Sequence, residues 1–464
     1  MAQTRTQLIQ TARHLRSRGH HDAAAQAWSE AIALSPDEPV LYHNLAAALG
    51  DAHRYAEAVA ALEAGFGKGL SAPQSQLVLA RAKAGLLALD EAEAAYRRYL
   101  ATAPADVTAQ SELAELVWMR TADTAAALAV LDEAIRDAPG DVDLVVTRCR
   151  LIGEMGDRRA ELACLGEALG KLGGHPILHS AASAAALACG DMAAGLSHAA
   201  AVAKATPGDR HAMAAHAGAL IAVGAYPEAQ AVIDSLRARY PEDQHYLALQ
   251  GDLWRLTGDG RRDAWFDYAR IVFRAPLEAP RGWRSAEAYV DDLTAALDAR
   301  HTFRTHPFFQ SVRGGGQISS ITSFDEPAMR AYHEAVAPAA RAYADKLGQG
   351  PEPVCLRNAG DARLFSAWSV LLPAHGYHEN HVHPEGWVSS ACHLRHDPRH
   401  DQSRGGWLKF GESGLRTPVP LPTEHIVKPE RGVAVLFPSY VWHGTVPFAE
   451  GTPRLTVAAD FVPA

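Results

Sequence analysis

Apolar residues follow two regimes along the chain. Up to about Gly258 they lie in alanine-rich stretches that read as helices, such as AEAVAALEAGF and PEAQAVIDSL. From Ala359 onward short apolar or alternating runs take over, separated by glycine and proline: FSAWSVLLP, GWVSSACHL, GGWLKFG, GVAVLFP and PRLTVAADFV. Runs of this length and spacing predict the strands of a β-sandwich or jelly roll. Between the two regimes, FRAPLEAPRGW reads as a linker, and SAEAYVDDLTAALDARH and EPAMRAYHEAVAPAARAYADKLG read as helices. The expected class is multidomain α + β.

The helical half repeats. A short turn ahead of each alanine-rich helix begins at Gly19, His53, Leu87, Thr121, Gly156, Gly190, Gly224 and Gly258, at intervals of 34 residues with a single 35. Proline closes the second helix of the unit in ALSPDEP, ATAPAD, RDAPGD, KATPGD and ARYPED, where it cannot continue a helix. An Asp or Glu after it is placed to cap the next one. A period of 34 is the tetratricopeptide length. Residues 1–270 resemble tetratricopeptide-repeat (TPR) proteins, with about seven to eight repeats. The resemblance implies a solenoid of stacked helix pairs whose concave groove holds a peptide or another protein. A spacer or dimerisation arm is the alternative.

Bulk chemistry narrows the partners. Hydrophobic residues make up 48% and charged ones 21%, the profile of a globular rather than a disordered chain. The net charge of -9 argues against nucleic acid, which needs a basic footprint. Five scattered cysteines (149, 164, 189, 355 and 392) lack CxxC spacing and predict free thiols in a reducing compartment. The amino-terminal stretch has no continuous apolar core and no apolar run is of membrane length, so a cytoplasmic location without a membrane partner is expected.

Histidine is concentrated in GYHENHVHPEGW, which holds His378, His381 and His383 just after His375. In an extended segment residues 381 and 383 point to one face, and Pro384 favours that extension. His443 follows an apolar run in LFPSYVWHGTVPF, and Arg454 and Thr456 share a strand face in RLTVAADF. Two close ligands and one distant histidine leave three adjacent positions open on an iron. An arginine on a nearby strand suits a carboxylate, through a two-pronged charge-assisted pair.

These stretches, with QSVRGGGQ, AWSVLLPAHGYHENHVHPEGWVSS and GGWLKFGE, resemble the 2-oxoglutarate/Fe(II) oxygenases found fused behind TPRs. The resemblance covers about residues 271–464, with a jelly-roll core at about 360–464. It implies a double-stranded β-helix with flanking helices, Fe(II) as cofactor, and 2-oxoglutarate and O2 as co-substrates. The implied reaction is hydroxylation of a protein or peptide recruited by the groove. By position, His381 resembles the first ligand, His443 the distal ligand, Arg454 the co-substrate clamp and Thr456 its hydroxyl partner.

Position 383 is the departure. It is histidine where the wider superfamily carries Asp or Glu, so the implied set is His381, His383 and His443. Glu385 could instead complete the pair from HPE. Glu379 and His378 are further alternatives. Three neutral imidazoles leave a metal one unit more positive than two imidazoles and a carboxylate. His375 and His378 otherwise read as residues that orient the ligands. At Cys392 and His393 the family tends to have an aromatic pair, and the change reads as drift rather than a modified pocket. Trp368, Trp387, Trp407 and Phe437 read as core. Two other functions stay open. One is a repeat scaffold with an inactive jelly roll, for which the missing carboxylate speaks. The other is a three-histidine dioxygenase without need of 2-oxoglutarate, against which Arg454 and Thr456 speak.

Overall fold

A computed structural model describes residues 4–464. The chain forms two compact units, Met1–Ala138 with Ser323–Asp325, and Pro139–Thr322 with Glu326–Ala464. The first unit holds four antiparallel helix pairs: Arg5–Ser17 with His21–Leu34, Pro39–Asp51 with Tyr55–Gly67, Gln74–Gly85 with Leu89–Leu100, and Val107–Thr121 with Thr124–Asp137. Fully buried alanines such as Ala31, Ala46 and Ala58 let the helices approach closely around Trp28 and Leu62. The second unit opens with three more pairs, Val142–Glu154 with Arg158–Leu172, Pro176–Cys189 with Met192–Ala205, and Arg210–Val223 with Tyr226–Arg239, and one further helix, Gln244–Thr257.

The 34-residue period has a backbone cause. Gly19, His53, Leu87, Ala122, Gly156, Gly190, Gly224 and Gly258 all adopt φ between 56° and 107°. A left-handed residue follows the first helix of each pair and reverses the chain, and glycine does so without a Cβ clash. The acidic residues after proline behave as expected: Asp106, Asp141, Asp209 and Asp243 each accept backbone N–H groups at a helix start. Glu38 is the exception and makes no such bond.

One expectation from composition fails. Cys149 and Cys164 are joined in a disulfide, while Cys189, Cys355 and Cys392 are free. They sit on the two helices of one repeat, and the antiparallel hairpin brings their Cα atoms to 5.6 Å although 15 residues separate them. Two of the five cysteines are therefore not the free thiols that a reducing compartment would leave. Among the described residues no helix is long and apolar enough to cross a membrane.

The rest of the second unit is a jelly roll. Its strands are β1 (Phe273–Pro276), β2 (Val312–Arg313), β3 (Gly316–Ile318), β4 (Ala362–Leu372), β5 (Tyr377–His378), β6 (Val388–Arg395), β7 (Leu408–Phe410), β8 (His425–Val427), β9 (Val433–Pro438), β10 (His443–Thr445) and β11 (Arg454–Pro463). The larger sheet is antiparallel in the order β1-β9-β6-β11-β4-β3; the smaller is β10-β7-β8, and β2 pairs with β5. Helix Ala286–Arg300 lies against β6, and helix Tyr332–Leu347 against β1, β4 and β9. The stretch read as a linker is in part a strand: β1 pairs with β9 from Phe273 to Pro276. Pro276 is tolerated there because β1 is an edge strand. The larger sheet thus recruits β1 and β3 from ahead of residue 360.

Candidate functional site

β11 lies between β4 and β6 and organises the site. Its odd positions Leu455, Val457, Ala459 and Phe461 are buried in the core. Alternation then places Arg454, Thr456, Ala458 and Asp460 on the other face. Across from them, His381 and His443 form an antiparallel bridge: the His381 N–H donates to the His443 carbonyl at 2.9 Å, and the His443 N–H donates back at 3.1 Å. The His383 N–H donates to the Ser439 carbonyl at 3.0 Å. The HPE segment is thereby tied to the turn after β9. Gly444 makes this approach feasible, since a Cβ there would lie 2.6 Å from Asn380 Oδ1.

The three imidazoles converge. One ring nitrogen from each of His381, His383 and His443 lies within 4.8 Å of the others. Every Nδ1 is already engaged: His381 with the Glu379 carbonyl at 2.8 Å, His443 with the Val441 carbonyl at 3.0 Å, and His383 with both Asp460 oxygens at 2.7 Å. Such contacts set the tautomer and leave Nε2 as the free lone pair. Burial, then the neighbouring His383, pulls His381 down to about 3, and burial holds His443 well below the usual imidazole range. Both rings are therefore neutral at neutral pH, the form that binds metal. Trp368 packs on His383 with centroids 5.4 Å apart, and Phe437 on His443 at 4.6 Å. These two aromatics line the site, against the expectation that they serve only as core. Trp387 is core, with its indole N–H on the Val354 carbonyl at 2.8 Å.

A cavity of about 40 Å³ joins the imidazoles to Arg454 and Thr456. Arg454 is 2% exposed, and burial brings it down to about 10, so it stays cationic. Its Nη2 donates to His393 Nε2 at 2.9 Å. Among the described residues its Nε and Nη1, and the Thr456 hydroxyl, are buried without a hydrogen-bond partner. A buried cation with unsatisfied donors calls for an anion. His393 thus touches Arg454 from β6, although it does not itself line the cavity. Cys392, on the other face of β6, is fully buried and its thiol is pushed up to about 12 by burial.

The remaining histidines and carboxylates divide. His378 lines the cavity, with its Nδ1 held by Ser311 Oγ at 3.0 Å. His375 is exposed in the turn after β4, with φ of 65°, and is not among the cavity residues. Glu379 pairs with Arg313 at 2.7 Å. Glu385 is exposed and lines an outer cleft of about 1370 Å³. That cleft runs from His381 and His383 to Arg150, Arg210 and Tyr240 of the helical repeats. Asp460 had no assigned role in the sequence, although its position six residues after Arg454 on an alternating strand was the available signal.

The last repeats hold the jelly roll directly. Asp252 Oδ2 accepts from Ser413 Oγ at 2.5 Å and from the Trp442 indole at 3.0 Å, and Arg255 donates to the Gly411 and Pro422 carbonyls. The Gln244 N–H donates to the Pro384 carbonyl, next to His383.

Residues 366–460 match the family model described as "Putative 2OG-Fe(II) oxygenase". Over those residues the carboxy-terminal domain is similar to that family. The chain joins tetratricopeptide-like helix pairs to a jelly-roll domain that matches this model. No curated protein matches it in sequence. Among solved structures it is similar to a tetratricopeptide repeat protein from Parabacteroides merdae, with 13% identity over 51% of this chain and 93% of that one and a TM-score of 0.37. It is also similar to a Pseudomonas putida prolyl-4-hydroxylase, with 22% identity over 43% of this chain and 96% of that one and a TM-score of 0.30.

Proposed function

We propose that the protein is an Fe(II)- and 2-oxoglutarate-dependent oxygenase that hydroxylates a polypeptide segment presented by its repeats. His381, His383 and His443 would hold the iron through Nε2. Three histidines suit a divalent first-row metal. Arg454 and Thr456 would bind the far carboxylate of 2-oxoglutarate. Bound together, iron and the keto acid supply the means to use O2 on an unactivated C–H bond. The protein's part is to hold and to exclude: Arg454 neutralises the far carboxylate, and Trp368 and Phe437 wall the reacting face from water.

The observation that carries the reading is the unsatisfied Arg454 guanidinium, with the Thr456 hydroxyl, in the same cavity as the three imidazoles. It favours a dicarboxylate co-substrate over a dioxygenase that needs none, and a working site over an inert scaffold. The peptide part rests on the outer cleft, where Phe309 and Phe365 stand 46% and 52% exposed beside repeat residues. Exposed aromatics in a cleft leading to a site suit a ligand that covers them. We place the functional division at about residue 270, which the end of the last repeat helix at Thr257 and the start of β1 at Phe273 support.

Anaerobic titration of the Fe(II)-loaded protein with 2-oxoglutarate tests this. A visible charge-transfer band that saturates, and that weakens by tenfold or more in affinity in Arg454→Ala, is expected. Iron bound without any band refutes the co-substrate assignment.

A further inference from the structure

The ligand set carries no anion, yet one sits a single ring away. Asp460 places both carboxylate oxygens 2.7 Å from His383 Nδ1. Its side chain is 12% exposed. Ser389, itself buried, donates to Asp460 Oδ1 at 2.7 Å and lies 2.9 Å from the Ser439 hydroxyl. The Ser439 carbonyl in turn holds the His383 N–H at 3.0 Å. Among the described residues no Lys or Arg pairs with Asp460; its one ion-pair partner is His383. The carboxylate is thus aimed at this ring and neutralised by nothing else.

We propose that Asp460, acting through His383, supplies the negative charge that residue 383 does not, and is a positioning residue for the metal. The inference rests on the metal site proposed above. A charge-assisted bond from Nδ1–H to a carboxylate gives the imidazole anionic character and raises the basicity of Nε2. Counted with Asp460, three imidazoles carry the same net charge as two imidazoles and a carboxylate. The anion has moved outward by one ring, and β11 carries it on the same face as Arg454 and Thr456. One strand therefore sets the co-substrate clamp at one end and the metal's charge balance at the other.

The test uses the full-length chain and Co(II) as the metal probe, read by its visible absorbance, together with the Fe(III)/Fe(II) midpoint potential. Asp460→Asn keeps an acceptor for Nδ1–H and removes only the charge. It is expected to weaken Co(II) binding by about 10–100-fold and to move the potential upward. Ser389→Ala, which keeps the charge, changes affinity by only a few-fold. His383→Asp alone sets two carboxylates side by side and binds poorly, whereas His383→Asp combined with Asp460→Asn restores affinity toward wild type. An Asp460→Asn protein with wild-type affinity and potential overturns this proposal alone, provided His443→Ala abolishes binding. If His443→Ala binds Co(II) like wild type, the metal site falls and this proposal with it.

Discussion

Asp252→Asn isolates the buried carboxyl through which the last repeat helix holds Ser413 and Trp442, the residue just ahead of β10. Asp252 is almost fully buried, and desolvation pushes it from 3.8 up to about 7 despite the bonds from Ser413 and Trp442. A carboxyl whose folded value lies above its unfolded value keeps its proton in the folded chain while the unfolded chain has released it. The resulting penalty is absent below about pH 4, grows as pH rises toward 7, and is constant above. At 1.36 kcal/mol per pH unit, the difference between 3.8 and about 7 amounts to about 4 kcal/mol at most. Asparagine carries no proton to lose, and its carbonyl can accept from Ser413 and Trp442. Any loss from its own buried amide is the same at every pH. Urea unfolding of both proteins from pH 4.5 to 8.5, followed by tryptophan emission, reads the difference. The variant should gain on wild type by about 1.4 kcal/mol per pH unit up to pH 7, then run parallel. A difference that stays flat from pH 5 to 8 would mean that burial does not hold this carboxyl protonated, and the reasoning fails.

Two further outcomes concern the repeats. Ala122 is exposed and left-handed at φ 56°, so Ala122→Gly should stabilise the first unit by about 0.5–1 kcal/mol, the left-handed penalty less glycine's entropy; thermal unfolding checks it, and a lower midpoint contradicts it. Cys149→Ser opens a crosslink spanning 15 residues and should lower stability by about 3 kcal/mol under oxidising conditions. With reductant the wild type should fall to meet the variant in the same denaturant titration.

The repeats were readable because their cause is local. A left-handed turn, a following helix and a capping acid recur within 34 residues, so composition at fixed offsets suffices. His381, His383, His443, Arg454 and Thr456 were readable for a related reason: strand alternation puts i and i+2 on one face, and each motif is short. The edge strand at Phe273 was not, because pairing with β9 links residues about 160 apart and nothing local separates it from a linker. Nor was the Cys149–Cys164 bond, which depends on how two helices pack rather than on cysteine spacing. The roles of His393 and Asp460 belong to the same class. Each is one residue on a strand, and only the neighbours that β6 and β11 bring from across the sheet decide that one steadies Arg454 and the other faces His383. Sequence by itself determined which residue types could meet a metal and a dicarboxylate; the tertiary fold alone decided where the balancing charge lies, because electrostatics depends on distance in space and not along the chain.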